Sequence, residues 1–103
     1  MLFGLKEEVI QKINSVFEKF PQIEKVVLYG SRAKGNYRNG SDIDLTIFGE
    51  DLKSGILNKI DILIEDLLLA YSFDISIFTQ ISNPDLVDHI ERVGKVFYQK
   101  EQV

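Results

Sequence analysis

Cysteine is absent from this sequence of 103 residues, and proline occurs only twice. Without cysteine the chain forms no disulfide, offers no thiolate nucleophile and builds no zinc–thiolate centre. Such a composition suits a reducing compartment, so we expect a cytoplasmic protein. The sequence also contains no internal repeat, linker or low-complexity segment, and we therefore expect residues 1–103 to form a single domain.

An excess of positive charge is also missing. Twelve Lys and Arg residues stand against sixteen Asp and Glu residues, which gives a net charge of −4 and an isoelectric point of about 4.9. Proteins that bind long nucleic acids are usually basic, so we expect no such partner. The positive charge that is present is local, at Arg32, Lys34 and Arg38, and a cluster of that size suits a small anion.

Long apolar runs are absent as well. The most apolar stretch, residues 56–71, carries Lys59, Asp61, Glu65 and Asp66, so it does not fit a membrane span. The N-terminal sequence MLFGLKEEVIQKI has no basic region, no uninterrupted apolar core and no small-residue cleavage site. We therefore expect neither a signal peptide nor a membrane anchor.

The composition and the apolar patterns that are present indicate a folded domain, with 45% hydrophobic and 27% charged residues. Apolar residues at three- and four-residue spacings indicate helices, and apolar–polar alternation indicates strands. The predicted elements, in chain order, are a helix at 5–20, strands at 25–30 and 42–48, a helix at 55–71, a strand at 73–78, a helix at 84–93 and a short edge strand at 95–99. This order predicts an α/β or α+β fold.

Three aspartates are predicted to share one face of the sheet. In the segment DIDLTIF, Asp42 and Asp44 point to one side of the strand, and Asp74 joins them if the strand at 73–78 pairs beside it. Carboxylates this close repel one another, and a bound divalent cation removes the repulsion. Oxygen-only ligands favour Mg²⁺ or Mn²⁺. The sequence thus predicts a metal site at these acids, with helices covering the opposite, apolar face.

A phosphate site is predicted beside the carboxylates. Gly30 and Ser31 follow a strand and offer backbone N–H groups and a hydroxyl to phosphate oxygens. Arg32 follows the serine directly and is predicted to bind the nucleotide by a charge-assisted contact, while Lys34 and Arg38 add general positive potential. Each feature alone is typical of an ordinary turn or a solvated strand face. Their convergence on one place favours a catalytic site.

The segment GSRAKGNYRNGSDID resembles the signature of the polymerase-β-like nucleotidyltransferases, in which a Gly-Ser pair precedes an Asp-x-Asp motif by ten residues. GSRAKG and SDIDL are most similar to the minimal, MNT-type branch, whose members are the small partners of HEPN proteins. The resemblance covers this motif, a third carboxylate at Asp74 and the order of the elements. It implies a nucleotidyltransferase fold, with a small mixed β-sheet and helices packed on one face.

The resemblance also implies a role for each matching residue. Gly30 and Ser31 would hold the β- and γ-phosphates of a nucleoside triphosphate. Asp42 and Asp44 would bind two Mg²⁺ ions, and Asp74 would share one of them and help to activate the acceptor hydroxyl. The attack would fall on the α-phosphorus, and pyrophosphate would leave.

Known MNT-type proteins act as antitoxins that transfer AMP from ATP to a tyrosine of a HEPN ribonuclease toxin. The resemblance therefore implies ATP as substrate, Mg²⁺ as cofactor and a HEPN-type helical partner, in a homo- or hetero-oligomer. Two alternatives stay open: neutralisation of a partner by binding alone, and transfer of a nucleotide to a small molecule or an RNA end. The complete set of Ser31, Asp42, Asp44 and Asp74 favours an active enzyme over a binding module.

Several other residues are predicted to be structural. Ser41 is expected to cap the turn before the Asp-x-Asp motif, and Tyr29 to pack in the core with its hydroxyl within reach of the site. His89, on the last helix, is interpreted as a surface or packing residue. The helix at 55–71 has a broad apolar face that ends in three leucines at 67–69, which favours a subunit interface.

Overall fold

The computed structural model describes residues 1–101, in which four strands form one mixed sheet. The elements are α1 (Glu7–Phe17), β1 (Ile23–Tyr29), α2 (Gly30–Lys34), β2 (Ile43–Gly49), α3 (Ser54–Asp66), β3 (Phe73–Ile77), a 3-10 turn (Phe78–Gln80), α4 (Pro84–Val93) and β4 (Lys95–Gln99). No helix in this part of the chain has the length and hydrophobicity that crossing a membrane requires. The predicted fold class is confirmed.

The sheet combines antiparallel and parallel pairing, in the order β3-β2-β1-β4. β1 pairs antiparallel with both β2 and β4, while β2 pairs parallel with β3. A parallel pair needs a crossover connection, and α3 provides it between β2 and β3. Because β2 and β3 run in the same direction and in register, their first residues lie at the same edge of the sheet.

One face of the sheet is covered by α1 and α3. β2 turns Ile43, Leu45 and Ile47 toward this side, and all three are fully buried. The two helices add apolar side chains to the same core, among them Ile13, Phe17, Ile60 and Ile64. Burial of an aliphatic side chain of this size contributes about 1.5–3 kcal/mol. This face therefore dominates the hydrophobic core.

The opposite face carries α4 and a smaller apolar cluster. Val27 and Tyr29 of β1 pack there against Ile90 of α4, beside the rings of Phe48 and Phe78, whose centroids lie 4.4 Å apart. The expected packing of helices on one face thus describes α1 and α3, whereas α4 lies on the face that also carries the aspartates. α4 packs on this face because the sequence VVLY in β1 places apolar side chains on both faces of the sheet, and both must be buried.

The predicted element boundaries are correct for α4 and too long for α1 and α3. Asn83 Oδ1 accepts a hydrogen bond from the Asp85 N–H at 2.9 Å, as an N-cap does. α1 ends at Phe17 and α3 ends at Asp66. The apolar pattern continues beyond both ends because residues that follow each helix also pack on the core. Leu68, beyond α3, is 90% exposed. The subunit interface predicted on this helix stays a prediction.

Candidate active site

Asp44 and Asp74 occupy matching positions on neighbouring strands. They are register partners in the parallel pair of β2 and β3. Their side chains therefore project from the same face of the sheet, opposite the core face that Leu45 enters. Adjacent strands lie about 4.8 Å apart, so the two carboxylates are close enough to repel each other. Asp44 is half-buried and Asp74 is exposed.

Asp42 completes the acidic group from just outside β2, where it is exposed. Burial raises the pKa of the Asp44 carboxyl above its ordinary value, and the charges of Asp74 and Asp42 raise it further. Positive charge on His89, present only when its imidazole is protonated, lowers this pKa. A carboxyl group opposed by two neighbouring carboxylates indicates that the acids are gathered in one place. The structure therefore brings the three predicted acids into electrostatic contact.

The carboxylates of the three acids are not arranged around a common point in this conformation. Among residues 1–101, no group of three or more Asp, Glu, His or Cys side chains is arranged to hold a metal ion. Carboxylate oxygens are the donors that Mg²⁺ prefers, and a divalent cation would offset the repulsion that raises the pKa of Asp44. The donor chemistry of Asp42, Asp44 and Asp74 thus fits a divalent cation, and their role as its ligands stays a prediction.

Gly30 starts α2 directly against the Asp44 carboxylate. Its φ is +74°, in the left-handed region, and a β-carbon at this position would collide with Oδ2 of Asp44. Any other residue would therefore meet both backbone strain and a steric clash. Glycine at this position brings the backbone of the turn into contact with the acidic group, beside which the phosphate site is predicted.

His89 is the site residue that the sequence does not reveal. The Gly30 backbone N–H donates to Nε2 of His89 at 3.1 Å, and the imidazole meets the Tyr29 ring edge-on with centroids 6.2 Å apart. The residue is half-buried behind the turn, whereas the sequence indicates only a surface or packing histidine. It lies 59 residues from Gly30, so no local spacing signals the contact. Only the packing of α4 on β1 creates it.

Arg32 is buried, with 3% of its surface exposed. Its Nε and Nη2 donate to the Ser41 carbonyl at 3.1 and 2.9 Å, and its Nη1 donates to the Phe3 carbonyl at 3.0 Å. The rings of Tyr37 and Tyr71 flank the guanidinium at 5.3 Å each. These hydrogen bonds connect Arg32 of α2 to the loop before the Asp-x-Asp motif and to the N-terminal segment. The predicted nucleotide contact of Arg32 stays a prediction, and it would compete with these bonds.

The two serines of the motif differ in their surroundings. Ser31 is half-buried, and its carbonyl accepts from the Gly35 N–H at 2.9 Å, which closes α2. Its predicted phosphate contact stays a prediction. Ser41 caps the turn at residues 38–41, before the Asp-x-Asp motif, as predicted, because its Oγ accepts from the backbone N–H of Arg38 at 2.8 Å.

Hydroxyl groups extend the polar surface beyond the acids. Ser76 Oγ donates to Thr46 Oγ1 at 3.1 Å, two residues along each strand from Asp74 and Asp44. Burial raises the pKa of the Tyr29 phenol above 10.0, and the negative charge of Asp74 raises it further. Hydrogen bonding with Ser76 lowers this pKa, and the charge of Asp44 makes a smaller contribution that raises it. Tyr29 is therefore a neutral phenol at pH 7, packed in the smaller cluster and near the acids as predicted.

Comparison with known families agrees with this geometry. Residues 11–103 match the family described as "Polymerase beta, Nucleotidyltransferase". No curated protein sequence matches the chain. The family match includes the Gly-Ser turn, the Asp-x-Asp motif and Asp74.

Solved structures with a similar fold include chains of toxin–antitoxin complexes. One complex contains AMP-PNP, and its similar chain has a TM-score of 0.70 and 20% identity, over 94% of this chain and 76% of that chain. A second complex joins a tri-AMPylated Shewanella oneidensis HEPN toxin to an MNT antitoxin, with a TM-score of 0.67 and 17% identity over 93% and 74%. Identities this low show the fold alone, and the nucleotidyltransferase fold is confirmed.

Proposed function

The chain belongs to the polymerase β nucleotidyltransferase family, and from this premise we propose that it transfers a nucleoside monophosphate from a nucleoside triphosphate to a hydroxyl acceptor. The observation that carries the proposal is the register pairing of Asp44 with Asp74 on the face where the Gly30 turn begins. Acidic ligands beside a glycine-led turn supply what a metal-bound triphosphate needs. The likeness to complexes with AMP-PNP and an AMPylated toxin favours ATP as donor.

Each residue of the site has a place in this proposal. Gly30 lets the triphosphate approach the backbone closely, and the Ser31 hydroxyl donates to a phosphate oxygen. Asp42 and Asp44 would hold divalent cations, which would supply acidification of the acceptor hydroxyl and neutralisation of charge on the leaving group. Asp74 accepts a hydrogen bond from the acceptor hydroxyl and orients its oxygen toward the α-phosphorus.

The reaction exchanges one phosphorus–oxygen bond for another. The acceptor oxygen forms a bond to the α-phosphorus, and the bond from that phosphorus to the bridging oxygen breaks. Pyrophosphate leaves with the electron pair, and the hydroxyl proton is passed to Asp74 or to water. The Tyr29 phenol is neutral at pH 7 and adds no negative charge beside the substrate, and its raised pKa keeps it protonated at higher pH as well.

We propose a tyrosine of a HEPN-type toxin as the acceptor, which would make this chain an antitoxin. Support comes from the similar fold found in toxin–antitoxin complexes, one of which contains a tri-AMPylated HEPN toxin. Within this proposal the chain and its partner form a hetero-oligomer in which the partner presents the acceptor.

Isotope transfer tests this proposal. The protein, a HEPN-type partner, Mg²⁺ and ATP labelled at the α-phosphate should yield labelled partner, and mapping should place AMP on a tyrosine. ATP labelled at the γ-phosphate is the matched control, since that label should leave in pyrophosphate. Transfer of the γ-label would indicate a kinase instead. An unlabelled partner in the α-label reaction, with both proteins folded, contradicts protein adenylylation.

Neutralisation by binding alone is the second candidate. The observation in its favour is the similar fold of chains in toxin–antitoxin complexes, in which the similar chain is bound to its partner. The double variant Asp42→Ala, Asp44→Ala separates the two candidates. If the variant still neutralises the partner, binding is sufficient; if it binds the partner but no longer neutralises it, catalysis is required.

A further inference from the structure

The backbone N–H of Gly30 is already occupied in this structure. It donates to Nε2 of His89, on α4, at 3.1 Å. The N–H of this residue is therefore not free to meet a phosphate oxygen unless the histidine contact breaks. Gly30 serves the site by lacking a side chain, since a β-carbon would collide with Asp44, and the donors left for phosphate begin at Ser31.

The histidine contact fixes the peptide that starts α2. Gly30 has a φ of +74°, and glycine rotates more freely about this bond than any other residue. An acceptor on the N–H restrains the peptide between Tyr29 and Gly30, and with it the direction in which the turn leaves β1. The orientation of the Ser31 hydroxyl follows from that direction.

Two packing contacts fix the position of His89, one made by its own ring and one made by the next residue. Its ring meets Tyr29 edge-on, with centroids 6.2 Å apart, and the next residue, Ile90, is buried against Val27 and Tyr29. α4 thus presents the imidazole from a packed surface rather than from a loop. An imidazole nitrogen that accepts a hydrogen bond carries no proton, so the contact requires the Nδ1-protonated tautomer of neutral His89.

We propose that His89 is a positioning residue for nucleotidyl transfer, which holds the Gly30 peptide so that the turn after it meets the triphosphate. The inference rests on the proposed function. His89 touches neither the phosphates nor the metal ligands in this scheme. It acts through one hydrogen bond to the residue that lies against Asp44.

Two substitutions separate the hydrogen bond from the bulk of the ring. Gln places its amide oxygen near the position of Nε2, while Asn places its amide near the position of Nδ1 and leaves the Gly30 N–H without a partner. We expect His89→Asn to raise KM for ATP about tenfold with kcat changed less than about threefold, and His89→Gln to restore most of the loss. Asp88→Asn is the matched control on α4, because it removes only the exposed Asp88–Arg92 ion pair and should leave KM unchanged.

A measurement without nucleotide tests the contact itself. In ¹⁵N-labelled wild-type protein, the imidazole nitrogen shifts of His89 should report the Nδ1-protonated tautomer, and the Gly30 amide should exchange slowly with solvent. His89→Asn should speed that exchange, and His89→Gln should not. Thermal unfolding of each variant shows whether it is folded.

The outcomes distinguish the inference from the proposed function. If wild-type protein transfers nucleotide and His89→Asn has the same KM, the inference is overturned and the function stands. The Nε2-protonated tautomer in the wild-type protein also overturns it. If wild-type protein neither binds nor transfers nucleotide, both proposals are wrong.

Discussion

The two faces of the sheet show how one strand serves two purposes. On β2, Leu45 enters a core that α1 and α3 close, while the next residue back, Asp44, faces the turn at Gly30. The core side is continuous, apolar and fully buried at this strand. The other side mixes carboxylates and hydroxyls with a small apolar cluster under α4. The core face therefore maintains the fold, and the polar face, which rests on that rigid support, is where we propose that the chemistry takes place.

The largest expected effect is the loss of turnover on the polar face. We expect Asp44→Asn to lower kcat/KM about a thousandfold or more, which corresponds to about 4 kcal/mol of transition-state stabilisation. The fold should survive, because Asp44 takes no part in the core. Asp66→Asn, on the exposed end of α3, is the control and should retain full activity. Steady-state AMP transfer measures the effect, and a loss below tenfold would remove Asp44 from the catalytic group.

The reverse result is expected one residue away, on the core face. Leu45→Ala should lower the free energy of unfolding by about 2–5 kcal/mol, because it leaves a cavity among fully buried side chains. Below its unfolding transition, the variant should keep kcat and KM close to the wild-type values. Urea denaturation measures the first quantity. If Leu45→Ala abolished transfer while fully folded, the functional separation of the two faces would be wrong.

Two glycines at the edge of the polar face separate the effect of backbone strain from the effect of contact with the acids. Gly30 and Gly35 both have positive φ, +74° and +88°, but a β-carbon collides with Asp44 only at Gly30. Each Gly→Ala change should cost about 1–2 kcal/mol of stability from backbone strain. Only Gly30→Ala should also lower kcat/KM, by about tenfold or more, because the turn must shift away from the acids. Equal activity of the two variants would show that the contact at Gly30 is dispensable.

The smallest effect concerns the charge of Asp44 in metal-free protein. Burial, Asp74 and Asp42 raise the pKa of this carboxyl, so the folded state holds its proton more tightly than the unfolded state. The free energy of unfolding should therefore fall as pH rises from the ordinary carboxyl pKa through the raised one. Asp44→Asn should remove this dependence and stabilise the metal-free protein at pH 7. Thermal melts across pH check the sign, and a lower melting temperature for the variant at pH 7 would contradict it.

The sequence predicted the core face and the acids better than the remainder of the site. Alternation in DIDLTIF indicated the opposite directions of Asp44 and Leu45. The sequence placed Asp74 beside Asp44 only on the condition that their strands pair, and the structure shows this pairing. The directions of these side chains follow from local periodicity, whereas the pairing of the two strands depends on the tertiary fold. The positions of Arg32 and His89 do not follow from local periodicity either, because their contacts join distant segments.

Arg32 shows why charge near a motif is an incomplete guide. Its position after Ser31 predicts a nucleotide contact, which stays a prediction, but does not signal that its guanidinium is buried against the carbonyls of Ser41 and Phe3. His89 shows the converse, since an isolated histidine on a helix meets the Gly30 N–H only after α4 packs on β1. Packing between elements decided both positions, and no short-range pattern encodes it.

Paramagnetic broadening by Mn²⁺ tests the central claim most directly. Mn²⁺ prefers the same carboxylate ligands as Mg²⁺, and added with a non-hydrolysable ATP analogue it should broaden the NMR amide signals around Gly30, Asp44 and Asp74. Signals of α1, on the opposite face of the sheet, should broaden least. Broadening centred on the acidic group would confirm that this face holds the metal-bound nucleotide. Broadening centred on the exposed acids of α3, or none at any residue, would contradict the account.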